Sequence, residues 1–143
     1  MVLGGVEIDY PLGLLGHSDG DVVLHAVTDA LLGAAGLPDI GDLFPDTDPA
    51  YKDIDSRELL ATAIEKVAEA GYAPNNIDLI VHAEKPKLSE HKGAMASSIA
   101  LLTGLGTSAV SVKAKTNEGL GPLGHADGIA CTATVSIVNK PKP

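Results

Sequence analysis

The chain has 143 residues, 45% of them hydrophobic but only 3% aromatic, so Val, Leu, Ile and Ala must fill the core of one folded domain. Nineteen acidic residues against ten basic ones leave a formal net charge of −9, which excludes a nucleic-acid surface or an anionic-membrane partner. Cys131, the single cysteine, excludes an internal disulfide and is expected to be an inert buried thiol.

No apolar run reaches membrane-spanning length, and no signal or transit segment precedes the first strand-like stretch, so a cytoplasmic protein is expected. There is no internal repeat and no linker, and residues 1–143 read as one domain. Val2 to Asp9 is rich in β-formers, with Gly4-Gly5 as a bend or bulge. Tyr10 to Gly16 carries Pro11 and two glycines and reads as a turn. Residues 21 to 35 then read as a helix apolar almost all round, with Ser18 or Asp19 as N-cap and Gly36-Leu37-Pro38 as its stop.

Residues 39 to 54 hold five aspartates, two prolines and a glycine, and read as an acidic loop. Asp55 and Glu58 have capping-box spacing ahead of a second helix that ends before Gly71. Ile77 to Ala83 alternates as a strand, and Lys85-Pro86-Lys87-Leu88 breaks it. Ser89 is the expected cap of a third helix running to Thr103. Ala109 to Ala114 is a strand, Gly119 to Gly128 a glycine-rich loop, and Ile129 to Val138 a long final strand. The order predicts an α+β two-layer sandwich, a mixed sheet with three helices on one face. On the last strand Ile129, Cys131, Ala133, Val135 and Ile137 should point inward. The opposite set, Ala130, Thr132, Thr134, Ser136 and Val138, is small enough for an oligomer interface.

The chemistry concentrates in a few places. Asp21, His25 and Asp29 recur every four residues, which stacks three ionisable groups along one line of an apolar helix. Burying such a line is costly unless a cation compensates, so the pattern points to a metal, with Asp29 one turn from His25 to fix its tautomer. The competing reading is a core histidine satisfied by a carboxylate. His17 and Ser18 precede the helix and could offer donors to an anion near its N-terminus, or simply cap it. Asp39 to Asp48 could be a hydroxyl-binding pocket or a solvated acidic loop. Lys85 to Lys87 and the run from Lys113 to Glu118 place cations and small donors at two strand ends, where ligands are often held. Glu118 suits a divalent ion bridging phosphates.

Five blocks in order carry a specific likeness: HSDGDVVLHAVTDALLGAAG, DIGDLFPDTDPAYKDIDSRELL, AEKPKL, KAKTNEGLG and GHADGIACTATV. Together they resemble the 2-C-methyl-D-erythritol 2,4-cyclodiphosphate synthases of isoprenoid precursor biosynthesis, over nearly the whole chain. The resemblance implies a metal-dependent lyase that closes 4-diphosphocytidyl-2-C-methyl-D-erythritol 2-phosphate into a cyclic diphosphate and releases CMP. It implies His25 as a zinc ligand, and His17 and Thr116 as residues of the transition state. His17 and Ser18 would contact the methylerythritol phosphate, and Asp39, Ile40, Gly41, Phe44, Pro45, Asp46, Thr47 and Asp48 would wall its hydroxyls. Ala83, Glu84, Lys85, Pro86, Lys87, Leu88 and Ser89 would receive the cytidine. Lys115, Thr116 and Asn117 would meet the diphosphate, and Glu118 would hold a magnesium or manganese ion between the phosphates. Pro122 and His125 join the substrate-binding set, His125 where the family often has arginine.

The resemblance also implies a homotrimer with sites between subunits. It implies two further zinc ligands in an Asp-x-His motif on a first strand, upstream of the point where Leu3-Gly4-Gly5 joins the pattern. That strand is expected to be absent from this chain, leaving a sheet edge exposed, through truncation or through genuine loss of zinc binding. The alternative function is a catalytically silent trimeric homologue that binds a nucleotide or isoprenoid diphosphate.

Overall fold

The computed structural model describes residues 1–142. Strands β1 (Val2–Leu3) and β2 (Val6–Glu7) pair antiparallel across Gly4-Gly5, whose φ angles are 60° and 74°. Two consecutive positive φ angles suit a tight hairpin turn and favour glycine at both positions. Helix α1 (Val22–Ala34) follows, and its cap corrects the sequence expectation: Asp21, not Ser18 or Asp19, is the N-cap. Its carboxylate accepts from Leu24 N at 3.0 Å, Gly4 N at 2.8 Å and Gly5 N at 2.7 Å. One buried side chain thus closes the helix start and clamps the hairpin turn.

The acidic stretch is less irregular than its composition suggested. It contains a short helix α2 (Ile40–Leu43), capped by Asp39, and a 3₁₀ turn at Pro49–Tyr51, capped by Asp48. Aspartate is a good cap because its carboxylate accepts the orphan N–H groups of a first turn. Helix α3 (Ser56–Glu69) is capped by Asp55, which also pairs with Arg57. Strand β3 (Tyr72–His82) starts five residues earlier than the alternation indicated, and runs through Pro74 with a register shift between Pro74 and Asn76. Proline has no N–H to give the ladder, so an irregularity there is expected.

Helix α4 (Lys92–Thr103) begins three residues after Ser89, with His91 at its cap and no side-chain capping bond. Strand β4 (Val110–Lys115), helix α5 (Gly121–Gly124) and strand β5 (Ala130–Asn139) complete the chain. The main sheet has the order β4-β3-β5, with β4 parallel and β5 antiparallel to β3. It is therefore a three-stranded mixed sheet. Ile77, Leu79 and Val81 of β3 are fully buried, with Cys131, Ala133, Val135 and Ile137 of β5 packed on the same core. Helices α1, α3 and α4 contact β5, β3 and β4 respectively, so the helices form one layer. Thr132, Thr134 and Ser136 point to the other side and are exposed. Cys131 is half-buried, and burial pushes its thiol up to about 12.

Candidate active site

The polar line on α1 resolves into three unrelated roles. Asp21 is spent on the backbone clamp. Asp29 is exposed and accepts from Ile40 N at 2.8 Å, so it anchors α2 and does not orient His25. Only His25 faces a cleft. The side chains given a shared metal role by spacing are therefore separated by their hydrogen bonds.

His25 has different partners. Its Nε2 lies 2.9 Å from Ser56 Oγ and 3.0 Å from Ser18 Oγ. Ser56, fully buried at the start of α3, donates its hydroxyl to Asp19. Asp19 also accepts from Ser56 N at 3.2 Å and Asp21 N at 3.0 Å. The loop before α1 is thus tied to the start of α3, and Asp19 N donates to Ile54 O across the same junction.

Around this junction lies a cleft of about 130 Å³, lined by His17, Ser18, His25, Ile40, Gly41, Phe44, Asp46, Tyr51, Ile54 and Leu59. Phe44 and Tyr51 meet edge to face at 5.4 Å between centroids, which stiffens the apolar wall. The structure thus brings together His17, Ser18, His25, Ile40, Gly41, Phe44 and Asp46. Asp39 and Asp48 act as caps instead, and neither they nor Pro45 or Thr47 line the cleft. Sequence reasoning missed Tyr51, Ile54, Leu59 and Ser56. Their sequence signal was periodicity or capping, which carries no information about a cleft.

A second cleft, about 340 Å³, opens where β3 and β4 end. Ala83, Glu84, Lys87, Leu88, Ser89, Lys92, Ala114, Lys115 and Thr116 line it. Glu84 accepts from Asn117 N at 3.0 Å, which fastens the loop after β4 to the end of β3. The Lys85-Pro86 peptide is cis, and neither of these two residues lines the cleft. Lys87, Lys92 and Lys115 give the cleft three cations in an otherwise acidic chain. Lys92 had no sequence signal, being one charged residue at a helix start. Lys113 belongs elsewhere, paired with Asp78 on the half-exposed side of the sheet.

Asn117, Glu118, Pro122 and His125 are exposed and line neither cleft. Glu118 has φ 53°. A non-glycine residue in this region costs of order 1 kcal/mol and persists only where its surroundings hold it. Asn117 Nδ2 donates to Leu120 O at 2.6 Å and supplies part of that hold. For a metal between phosphates the donor chemistry at Glu118 fits, since magnesium is commonly held by one carboxylate plus substrate oxygens. For zinc it does not. Among the described residues no three His, Cys, Asp or Glu side chains converge, and His25 alone is not a zinc centre.

Fold and clefts together define a two-layer α+β domain with one cleft at the strand ends and another beside the start of a buried helix. The model of the YgbB family matches residues 1–138, and the chain belongs to that family. It is 61% identical over 137 residues to the 2-C-methyl-D-erythritol 2,4-cyclodiphosphate synthase of Bordetella petrii, covering 96% of this chain and 85% of that protein. The synthase of Ralstonia nicotianae is 55% identical over 137 residues, with 96% and 82% covered. Among solved structures, the bifunctional IspDF of Campylobacter jejuni superposes with a TM-score of 0.93 at 47% identity, covering 97% of this chain and 38% of that one. The CDP complex of Plasmodium falciparum IspF gives 0.86 at 35% identity, covering 99% and 85%.

Proposed function

We infer that this chain is a cyclodiphosphate synthase, a lyase that converts 4-diphosphocytidyl-2-C-methyl-D-erythritol 2-phosphate to the 2,4-cyclodiphosphate and CMP. The observation that carries the reading is a partition. Of the residues tied by resemblance to the erythritol end, His17, Ser18, Ile40, Gly41, Phe44 and Asp46 line one cleft, and of those tied to the cytidyl end, Ala83, Glu84, Lys87, Leu88 and Ser89 line the other. The relatives' shared name and the CDP complex of a structural neighbour support the same substrate class.

The reaction needs no protein nucleophile. The substrate's 2-phosphate oxygen attacks the β-phosphorus, the bond to CMP breaks, and CMP leaves with the bridging oxygen. The protein's tasks are to fold the substrate into line and to stabilise spreading negative charge. In the first cleft His17 and Ser18 face the phosphate of the erythritol end, and Asp46 faces its hydroxyls. In the second, Lys87 and Lys115 offset the diphosphate charge while Ala83 and Leu88 pack the base. Thr116 and Asn117 present donors to the diphosphate oxygens. Glu118 would hold a divalent ion, magnesium or manganese, whose charge lets an acidic protein accept so anionic a ligand. His25 matches a zinc ligand by resemblance, but alone it does not make a zinc centre, and no step is assigned to zinc here.

The two clefts share no lining residue. A substrate bridging both chemistries is served most directly by clefts of adjoining copies, and we propose a homotrimer with inter-subunit sites that uses the small-residue sheet face. Phosphorus NMR of the purified chain with substrate, zinc and magnesium tests the reaction. A cyclic diphosphate appearing with CMP supports it, and intact substrate overturns it for this chain.

A further inference from the structure

The hydrogen bonds around His25 have only one consistent direction. Asp19 has three groups pointing at its carboxylate: the Ser56 hydroxyl, Ser56 N–H and Asp21 N–H. A carboxylate acts here as acceptor only, and a hydroxyl has one proton to give. Ser56 therefore spends its proton on Asp19, in a charge-assisted bond that outcompetes a neutral acceptor. What Ser56 Oγ can offer His25, 2.9 Å away, is a lone pair. For that contact to be a hydrogen bond, the proton must sit on Nε2.

The consequence extends to both sides of the ring. With Nε2 protonated, the neutral imidazole keeps its electron pair on Nδ1, which bonds to no protein group among the described residues. His25 also lines a second depression, with Leu14, His17, Gly20, Val22 and Ile129, and neither serine belongs to its lining. Ser18 Oγ, 3.0 Å from the same Nε2, is likewise cast as acceptor, and it also takes Gly20 N–H at 3.4 Å. Its own proton is then free to point into the cleft, where an anionic oxygen would find a donor.

We propose that Asp19 and Ser56 are positioning residues that act through His25. Their directed chain fixes the Nε2–H tautomer, presents Nδ1 as the ring's electron-pair donor, and turns the Ser18 hydroxyl toward the cleft. The proposal rests on local geometry and stands independently of the cyclase reading.

The test is a long-range ¹H–¹⁵N correlation spectrum of the full chain, labelled with ¹⁵N-histidine, at a pH above the usual histidine range. The expected result places the His25 proton on Nε2 and gives it slow exchange with water. In Ser56→Ala that exchange should quicken by about tenfold or more, since one of its two acceptors is gone. Asp19→Asn keeps the shape but removes the charge that orients Ser56, and should populate the Nδ1–H form. It also carries the test if Ser56→Ala does not fold. A wild-type proton on Nδ1 overturns the proposal. So does an unchanged His25 signal in either variant when its backbone spectrum remains folded.

Discussion

Asp21 is fully buried, and it satisfies three backbone N–H groups, one in α1 and two in the β1–β2 turn. Asp21→Ala removes a helix cap and leaves the Gly4 and Gly5 donors unpaired, so a loss of about 2–4 kcal/mol is expected, read as a lowered urea midpoint at unchanged slope. Burial is the largest influence on its pKa and raises it above the ordinary 3.8, against the pull of its three backbone donors. The folded state then holds this proton more tightly than the unfolded chain does. Its contribution is fully present below about 3.8 and declines as pH rises through the raised folded value. Asp21→Asn has no such decline, so the stability gap between wild type and this variant should narrow as pH rises from acid to neutral. A gap that widens would show that the hydrogen bonds outweigh burial. The sequence displayed Asp21, His25 and Asp29 as equals, because spacing records only a shared side of a helix. It could not show that Gly4 and Gly5 come back to meet the first, or that Ile40 takes the third.

At the scale of elements, the segment after β4 is held by backbone contact as much as by side chains. A Cβ on Gly124 would stand 2.3 Å from the carbonyl carbon of Gly119, so the close approach of α5 to the preceding turn needs glycine there. Gly124→Ala should push that turn outward, disturbing Glu118 and Asn117 while leaving the core untouched. We expect CDP binding to weaken by about tenfold or more with little change in thermal midpoint, measured by calorimetry and thermal denaturation. Equal losses in both would place the turn in the folding core instead. Lys92 permits a separate check at the second cleft. Lys92→Ala should raise the dissociation constant for CDP by a few fold, and the effect should shrink as salt is added. Long periodic elements such as α1, α3 and β5 were legible in sequence to within a residue or two, because buried alternation dictates them. The start of β3 and the short helices α2 and α5 were not, since they depend on pairing with β5 and on aspartate or backbone caps that composition cannot place.

For the whole molecule the governing fact is one helical layer over a sheet whose other face is bare. That face carries Thr132, Thr134 and Ser136 together with the Asp78–Lys113 pair, and among the described residues β5 has β3 on one side only. If the proposed trimer forms through it, light scattering should return three times the chain's 14.5 kDa at micromolar concentration. Thr134→Arg should then yield a monomer with the same far-ultraviolet spectrum, whereas a wild-type monomer would send the search for a bridged site back to the single chain. A small-residue face was readable from the period-two pattern, but its occupant was not, because exposed and interfacial threonines look alike in sequence.

Cys131 lends the molecule a further property. With its thiol pushed up to about 12 and half-buried against the core, it is almost wholly protonated at neutral pH and a poor nucleophile. Native protein should therefore leave a chromogenic disulfide reagent nearly colourless, and reaction should begin only when β5 leaves the sheet. The colour then counts unfolding events molecule by molecule. The same silence makes the natural chain a ready background for site-specific labelling, since a cysteine introduced at the fully exposed Leu15 would take a maleimide dye with no competitor.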